Sequence, residues 1–532
     1  MSNTKKLLSI TNLKKYFPIA KSSLFQKEQL YVRANEDITI DIYEGETLGI
    51  VGESGCGKST LGRVLLQLYP QTAGTTMYYG TTLDILAPSY IEDTLCHFKK
   101  YKAAVLKAEA KYDAICKKVD EVGEDNADFF LLQDRNLAQS DAKTKLDHVV
   151  KIVGGFYVMD DAEGDRGRAD ILAIHRLNVQ KNILVNDLND TETLISKISD
   201  DGIDKKEQKQ YNKLTAKKAR LEAAIDDINA KINENQAAID AIRDSMKADP
   251  EFAKYEAMRD SGIDLSRLKY KEMRTLRKDM QIIFQDPYSS LNPRFTIGQI
   301  IEEGLLTHKM FRSGSQKMRE HVVDTMKKCG LQEYMLHRYP HQFSGGQRQR
   351  ISIARALAVN PKFVVCDECV SALDVSIQSQ IINLLQELKE KEKLTYMFIS
   401  HDLSVVRYIS DRICVMYLGN VVELADAATI FADPRHPYTV ALLSSIPTTD
   451  VDKVGKERIL LEGNIPSPIR PPQGCKFHTR CYMACDKCKR VPPPLVEVEP
   501  GHYVACHRLE KKLDENGNYT FETATERRTE RA

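Results

Sequence analysis

The sequence predicts an α/β fold class that is interrupted by a long helical insertion. Two apolar runs of strand type support the α/β class. Leu48–Val51 leads into the glycine-rich stretch "GESGCGKST", a pattern typical of a strand, a turn and a helix, and a second run lies in "KFVVCDE" at 362–368. Between these runs, apolar residues at heptad spacing predict long amphipathic helices, and these account for the insertion.

Length and charge exclude several classes of protein. The chain has 532 residues, enough for two to four domains, and 76 Lys+Arg against 75 Asp+Glu give a net charge of +1. Because this balance lacks a basic excess, no nucleic acid is expected as the main partner. The sequence contains no apolar run of 18 residues, and "MSNTKKLLSI" has no signal-peptide pattern. We therefore expect a cytoplasmic protein with at most a peripheral membrane role.

The stretch after the first strand has the spacing of a P-loop, Gly52-x4-Gly57-Lys58-Ser59. Glycines let the backbone approach phosphates closely, and a helix N-terminus adds partial positive charge. Lys58 should reach the β- and γ-phosphates, and the Ser59 hydroxyl should bind Mg²⁺. The predicted phosphate-binding residues are Gly52, Glu53, Ser54, Gly55, Cys56, Gly57, Lys58, Ser59 and Thr60.

Two stretches in the second half of the chain complete a candidate nucleotide site. Asp367 ends the second strand and could hold the Mg²⁺ water shell, while Glu368 could orient or deprotonate an attacking water. In "FSGGQRQR", Ser344, Gly345 and Gly346 stand at a predicted helix start and form a second anion site.

Taken together and in this order, the motifs resemble those of ABC ATPases. The resemblance implies that "SGGQ", which includes Gln347, is the signature motif and that Gln285 of "IFQDP" is the Q-loop glutamine and a Mg²⁺ ligand. It further implies that Asp374 belongs to the D-loop, that His401 is the switch histidine, and that Phe17, or alternatively Tyr16, stacks on adenine. The implied fold is a RecA-like core with antiparallel β and helical subdomains. ATP would lie between the P-loop of one chain and the signature of a second chain.

Longer stretches, such as "RYPHQFSGGQRQRISIARAL" and "HPYTVALLSSIP", resemble the ATP-binding subunits of dipeptide and oligopeptide importers of the OppF/DppF type, over residues 5–86 and 265–508. The resemblance implies a sister ABC ATPase in a heterodimer, two transmembrane permeases and, indirectly, an extracellular peptide-binding lipoprotein. It places the chain on the cytoplasmic face of the membrane. One departure is Cys369, where the family usually has proline; the Asp367–Glu368 pair is intact.

Five of the twelve cysteines lie near the C-terminus, in a segment rich in proline and glycine. The pattern Cys475, Cys481, Cys488 and Cys506 resembles the C-terminal segment of peptide-importer ATPases, in some of which four cysteines hold a [4Fe–4S] cluster. Thiolates suit iron–sulfur or zinc equally well. Zinc with a histidine ligand and unliganded thiols therefore stay open as alternatives. Further candidate ligands are Cys485, His478, His502 and His507.

The insertion, predicted at 87–264, contains two heptad-patterned arms at about 91–122 and 211–246. Their similar lengths predict an antiparallel coiled-coil hairpin, although two separate amphipathic helices are an alternative. Between the arms, the apolar run and glycines of "HVVKIVGGFYVMDD" predict a small tip of mixed structure at 123–204. We expect the arm to dock an unknown partner.

The predicted domains are therefore 1–86 and 265–435 for the two parts of the ATPase, 87–264 for the insertion, 436–508 for the cysteine-rich domain and 509–532 for a polar tail. An alternative is a chromosome-maintenance or DNA-repair ATPase, which also carries a coiled-coil hairpin. In that class the coil follows the Q-loop glutamine, whereas here it precedes Gln285. Importers of nickel or other small solutes share the motifs and stay open.

Overall fold

The computed structural model describes residues 5–21, 29–123, 127–199, 205–446, 459–509, 511–513 and 519–521. The chain divides into two compact units. The first unit comprises Met1–Thr76 and Met273–Ala532, and the inserted unit comprises Met77–Glu272. The inserted unit is wider at both ends than the predicted range of 87–264. Among the described helices, none is long and apolar enough to cross a membrane.

The strands are β1 (Lys6–Pro18), β2 (Tyr31–Tyr43), β3 (Thr47–Val51), β4 (Ala73–Tyr78), β5 (Ile263–Asp264), β6 (Met280–Ile283), β7 (Phe363–Asp367), β8 (Thr395–Ile399), β9 (Arg412–Tyr417), β10 (Asn420–Asp426), β11 (Val496–Glu499), β12 (His502–Val504), β13 (Lys511–Leu513) and β14 (Tyr519–Phe521).

The helices are α1 (Lys58–Leu65), α2 (Leu83–Leu86), α3 (Ser89–Cys96), α4 (Phe98–Val122), α5 (Phe129–Val153), α6 (Ala162–Ser199), α7 (Lys205–Met246), α8 (Pro250–Glu256), α9 (Tyr270–Leu276), α10 (Pro287–Ser290), α11 (Ile297–Thr307), α12 (Gln316–Lys328), α13 (Gly345–Leu357), α14 (Val375–Glu392), α15 (Leu403–Ile409), α16 (Ala427–Ala432), α17 (Pro437–Ser444) and α18 (Asp486–Arg490). Short 3₁₀ turns occupy Gly154–Tyr157, Leu265–Arg267, Glu333–Met335 and Pro340–Gln342.

The first unit is built on an eight-stranded sheet with the order β11-β12-β10-β9-β3-β8-β7-β6. Neighbours from β9 through β3, β8 and β7 to β6 run parallel. Every residue of β3, β7 and β8 is buried, which is why these strands are continuous apolar runs in the sequence. Because parallel strands end at the same edge, the segments that follow β3, β6, β7 and β8 meet there.

Two further layers belong to the first unit. The long strands β1 and β2 pair antiparallel, and β1 also neighbours β4. The helices α11, α12 and α13 pack on one another, and their apolar faces join the core that covers the sheet. This arrangement agrees with the predicted α/β ATPase fold that has an antiparallel β part and a helical part.

The C-terminal segment contributes to the same sheet. Strand β12 of the predicted cysteine-rich domain pairs antiparallel with β10, which precedes that domain, and β11 pairs with β12. Much of 459–495 is irregular, as the proline and glycine content predicts. Of the predicted polar tail, 510, 514–518 and 522–532 lie outside the described residues. Strands β13 and β14 pair with each other.

The inserted unit is helical, but its helices do not pair as predicted. Helix α4 packs along α5, and α6 packs along α7, so each predicted arm pairs with a neighbouring helix and not with the other arm. Lys218, a polar residue at a heptad core position of α7, forms a 2.7 Å ion pair with Glu192 of α6. The prediction of one hairpin made from arms 91–122 and 211–246 was wrong. The heptad pattern marks an apolar face and does not identify the helix that covers it.

The predicted tip of mixed structure was also wrong. The described residues of 123–204 form α5, a 3₁₀ turn and α6. The apolar run that suggested a strand is the end of α5, where Val149, Val150 and Val153 are fully buried beside Phe98 and Phe156. A short apolar run that is buried on several sides has no helical periodicity, so the sequence pattern alone cannot distinguish a helix from a strand.

Candidate functional site

The P-loop joins β3 to α1 at the shared strand edge. Gly52 has φ 149° and Gly57 has φ 101°. A Cβ on Gly52 would overlap the Met416 carbonyl, and one on Gly57 would overlap the Ala34 carbonyl. Glycine is therefore required here by conformation and by space. Lys58 is buried and donates hydrogen bonds to the carbonyls of Gly52 (2.7 Å) and Glu53 (3.0 Å).

The P-loop serine and the aspartate after β7 are in direct contact. The Ser59 hydroxyl donates a 2.5 Å hydrogen bond to Asp367 Oδ1, and Arg63 Nη2 lies 3.5 Å from Asp367 Oδ2. Ser59 and Asp367 are 308 positions apart in the sequence. Hydroxyl and carboxylate oxygens are ligands that Mg²⁺ prefers, so the donor set fits the predicted metal.

The predicted catalytic residues converge on one carboxylate. Gln285 Nε2 donates to Glu368 Oε2 at 2.9 Å, and His401 Nδ1 lies 3.6 Å from the same oxygen. Glu368 has φ 47°, a left-handed conformation that is unfavourable for a side chain with a Cβ. Its backbone N–H donates to the Ile399 carbonyl, which holds this turn against the end of β8. Cys369, at the position of the family's proline, is buried in the core below.

The signature residues begin a helix with a complete cap. Ser344 is the N-cap of α13 and accepts a hydrogen bond from the Gln347 N–H, while Gln347 Oε1 accepts from the Ser344 N–H. A Cβ on Gly346 would overlap the Ile377 side chain, so this glycine permits close packing on α14. Asp374 is exposed as the N-cap of α14.

Only one of the two adenine-stacking candidates has an accessible ring. Tyr16 is buried and donates a 2.6 Å hydrogen bond to Glu36 Oε1. Phe17 is partly exposed and contacts Tyr69 edge-on, with ring centroids 5.5 Å apart. Phe17 is therefore the better candidate for stacking on a base.

The C-terminal segment contacts the P-loop through residues that sequence reasoning missed. Arg480 forms a bidentate pair with the Glu53 carboxylate at 2.7 and 3.0 Å, and the Tyr438 hydroxyl accepts from the Glu53 N–H. Hydrogen bonding to Glu53 raises the pKa of Arg480. Arg480 directly precedes Cys481. Neither this neighbouring cysteine nor the spacing of the motifs indicates that Arg480 pairs with a residue 427 positions away.

A second ion pair anchors the same segment. Lys476 Nζ lies 2.7 Å from Glu36 Oε2 and donates to the Leu418 carbonyl. Burial opposes ionisation of Glu36, but the cations of Lys476, Lys14 and Arg33 outweigh burial and hold its pKa well below the usual range. The segment that carries the cysteines is thus fixed to β2.

The cysteines of the predicted cluster lie in the C-terminal segment, and their thiols influence one another. Cys485 Sγ is 3.4 Å from Cys488 Sγ, and Cys475 donates its N–H to the Cys488 carbonyl. Burial raises the pKa of Cys481 and Cys506 to about 12, and neighbouring thiols add to the effect. Within the ranges that the structure describes, no three His, Cys, Asp or Glu side chains are arranged to hold a metal ion.

The three histidines considered as zinc ligands have other partners. His478 contacts the Cys475 carbonyl at 2.8 Å, and His507 contacts the Val491 carbonyl at 2.7 Å. His502 is buried 2.8 Å from Glu423 Oε1. Each contact occupies one ring nitrogen, and metal-bound histidines commonly donate their other ring N–H in this way, so these contacts leave histidine ligation open.

Comparison with known proteins shows clear relatives. The ABC transporter family matches residues 35–155 and 253–371, and the family described as oligopeptide/dipeptide transporter, C-terminal region, matches 422–488. The oligopeptide transport ATP-binding protein AppF of Bacillus subtilis is 53% identical over 248 residues, which cover 46% of this chain and 75% of AppF. A solved structure, CbiO1 of Clostridium perfringens, matches 80% of this chain and 91% of its own at 16% identity and a TM-score of 0.39.

Proposed function

The chain belongs to the family of oligopeptide transport ATP-binding proteins of ABC transporters, and from this premise we propose that it hydrolyses ATP to power the import of oligopeptides across the cytoplasmic membrane. The observation that carries the proposal is the convergence of Ser59 with Asp367, and of Gln285 and His401 with Glu368, at the strand edge beside the P-loop.

Each contact in the structure suggests one part of the reaction. When ATP binds, Lys58 exchanges its two backbone carbonyl partners for phosphate oxygens, a cation-to-anion contact that is stronger than the one it replaces. Glu368 accepts the proton of the attacking water, and Gln285 and His401 fix the orientation of its carboxylate. Ser59, Asp367 and Gln285 would hold Mg²⁺, which would supply positive charge beside the phosphates.

The proposal includes a second ATPase chain. Ser344, Gly345 and Gly346 at the N-terminus of α13 present N–H groups and the positive end of the helix dipole to an anion. In the proposed head-to-tail pair, the signature of a sister subunit faces this P-loop, and Asp374 lies at the interface. Two permeases in the membrane and an extracellular peptide-binding lipoprotein complete the importer, which places this chain peripherally on the cytoplasmic face.

A pull-down from gently solubilised native membranes tests the assembly. Tagged protein should recover two multi-span permeases, a second ABC ATPase and a solute-binding lipoprotein. Uptake of a labelled oligopeptide should be lost in cells that carry only the Glu368→Gln chain. Recovery of DNA-associated proteins without a permease would overturn the transporter proposal. Loss of nickel uptake with normal peptide uptake would overturn the choice of substrate.

We also propose that Cys475, Cys481, Cys488 and Cys506 hold a [4Fe–4S] cluster. Four thiols of the C-terminal segment that influence one another electrostatically supply the donor chemistry of such a cluster. Iron and acid-labile sulfide analysis after anaerobic purification tests this. The Cys488→Ser chain should lose both, and Cys116→Ser in α4 is the control. Bound zinc, or no metal in the native protein, would contradict the proposal.

The expectation that the inserted unit docks another protein stays a prediction. Comparing pull-downs of the native chain and of a chain that lacks the insertion tests it. A protein recovered only with the native chain would be the partner, and identical recoveries would count against docking.

A further inference from the structure

The inserted unit contains a cavity of about 190 Å³. Its walls come from α2, α3, α5, α6, α7, the end of β4 and the segment 259–267, all within this unit. A 150 Å³ apolar cavity is large enough to bind benzene, so a cavity of this size accepts a molecule somewhat larger than a six-membered ring. The residues that line the cavity indicate what kind of molecule it accepts.

Part of the cavity lining is apolar. Branched aliphatic side chains from four helices, α3, α5, α6 and α7, face it, and the tyrosine ring of α3 adds to this wall. They are Ile91, Ile152, Ile171, Ile174 and Ile239, together with Tyr90. A branched hydrocarbon group would bury its surface here at about 25 cal/mol per Å².

A second feature is an acidic group without a direct partner. Asp147 lines the cavity, is 5% exposed and has no hydrogen bond or ion pair within 4 Å among the residues that the structure describes. Burial raises its pKa, while Lys151 and Lys143 act in the opposite direction from farther away. A buried carboxylate without a donor is costly, and an ammonium group placed in the cavity would relieve that cost.

A third feature is a surplus of positive charge on the lining. Arg243 Nε and Arg259 Nε share the Glu256 Oε1 atom at 3.1 and 2.7 Å, and Glu256 Oε2 already accepts from the Gly155 N–H. Arg243 has a second, longer contact of 3.5 Å to the half-exposed Asp240. Two guanidinium groups that share one carboxylate leave capacity for a further anion.

Within the described part of the chain, the other ionisable groups near the cavity neither pair with Asp147 nor neutralise Arg243 and Arg259. Lys151 lies 3.7 Å from Asp260, and Arg267 donates to the His148 carbonyl and to Thr94. His148 lies 3.5 Å from Asp264, and burial lowers the pKa of His148 to about 4, so it is neutral at pH 7.

We propose that this cavity binds a small zwitterion with a branched apolar side chain, of the class of the aliphatic α-amino acids. Asp147 receives the ammonium group, Arg243 and Arg259 receive the carboxylate, and the isoleucine wall receives the side chain. The proposal concerns the inserted unit alone and does not depend on the transport function.

Calorimetric titration of the full-length chain tests this with three probes of similar shape. They are L-leucine, 3-methylbutylamine, which lacks the carboxylate, and 4-methylpentanoate, which lacks the ammonium. Leucine should bind more tightly than either probe with one charged end. Asp147→Asn should weaken leucine and the amine about tenfold and leave 4-methylpentanoate unchanged. Arg259→Gln should weaken leucine and the acid and leave the amine unchanged.

The matched control is Asp141→Asn on the same helix, an exposed residue paired with Lys145. It should change none of the three affinities. Circular dichroism and unchanged ATP affinity verify that each variant is folded. Absence of leucine binding to the native chain at about 10 mM would overturn the proposal. Equal losses for Asp147→Asn and Asp141→Asn, or loss of the acid probe with Asp147→Asn, would overturn it as well.

Discussion

In the first unit, the residues that share the candidate site come from distant parts of the chain, whereas in the inserted unit the paired helices are consecutive. Ser59 meets Asp367 across 308 positions, and Gln285 meets Glu368 across 83. In the inserted unit, α4 packs on α5 and α6 packs on α7. Long-range contacts in the first unit are imposed by a parallel sheet, which brings strand ends to one edge. Helix faces in the inserted unit have no such frame.

Conformational requirements differ between the units in the same way. In the first unit, Gly52 and Gly57 have positive φ beside backbone carbonyls that leave no space for a Cβ, and Glu368 also has positive φ. In the inserted unit, Gly154 also has positive φ (58°), but a Cβ there would meet the end of the Glu256 side chain and not a backbone carbonyl. The core of this unit is formed by helices and rings, for example Phe156 edge-on to Phe252 at 5.9 Å. ATP binding and hydrolysis should therefore be sensitive to changes of a single atom or methyl group in the first unit. They should tolerate large changes in the inserted unit.

Removing the proton acceptor should have the largest effect. Glu368→Gln keeps the size of the side chain but abolishes its basicity, so ATP hydrolysis should fall about a thousandfold while ATP binding persists. Turnover and nucleotide affinity measured on the same preparation test this. Glu387→Gln, on the exposed face of α14, is the control and should hydrolyse ATP normally. Normal hydrolysis by Glu368→Gln would assign the base to another residue.

A single methyl group on the P-loop should have the next largest effect. Gly57→Ala combines φ 101° with overlap of the Ala34 carbonyl, so it should destabilise the first unit by about 3 kcal/mol. Gly55→Ala is the matched comparison, because Gly55 has φ 79° with open space around it, and its cost should be about 1 kcal/mol. Thermal unfolding without nucleotide measures both. Equal costs would show that the carbonyl moves aside freely.

Breaking the contact between the C-terminal segment and the P-loop should have a smaller effect. Arg480→Gln leaves the Glu53 carboxylate without its bidentate partner beside the phosphate site, so repulsion should raise the KM for ATP about tenfold with little change in kcat. Added salt should reduce the difference. Lys487→Gln, an exposed change on α18, is the control.

A double variant separates charge from position. Glu53→Gln with Arg480→Gln removes both charges, so the KM for ATP should return close to the native value. If the double variant stays as weak as Arg480→Gln, the arginine acts by fixing the fold of the C-terminal segment and not by neutralising Glu53.

Removing most of the inserted unit should have the smallest effect on ATP binding. Tyr78 and Ile263 are antiparallel partners, so replacing 79–262 with Asn-Gly gives a two-residue hairpin turn at that pair. ATP affinity should stay within about threefold of the native value, because the groups that contact the nucleotide lie elsewhere in the chain. Loss of ATP binding in a folded deletion protein would make the insertion integral to the site.

Several features of the candidate site were predictable from the sequence because local spacing carries them. The P-loop, the Asp367–Glu368 pair and the signature cap each lie within ten residues, and each requires particular residue types for geometric reasons. Phe17 was preferred to Tyr16 from the family resemblance, because strand alternation places the two rings on opposite faces but does not state which face is covered.

The sequence by itself determined the α/β class, the order of the ATPase motifs and the existence of a helical insertion, because strand burial, glycine conformation and heptad spacing are local properties. Only the tertiary structure decided the helix pairing in the insertion, the ion pair of Arg480 with Glu53 and the cavity that Asp147 lines. Each of these features depends on which surfaces of the folded chain meet. The sequence does not state this, because one chain contains many apolar faces and many opposite charges that are chemically able to pair.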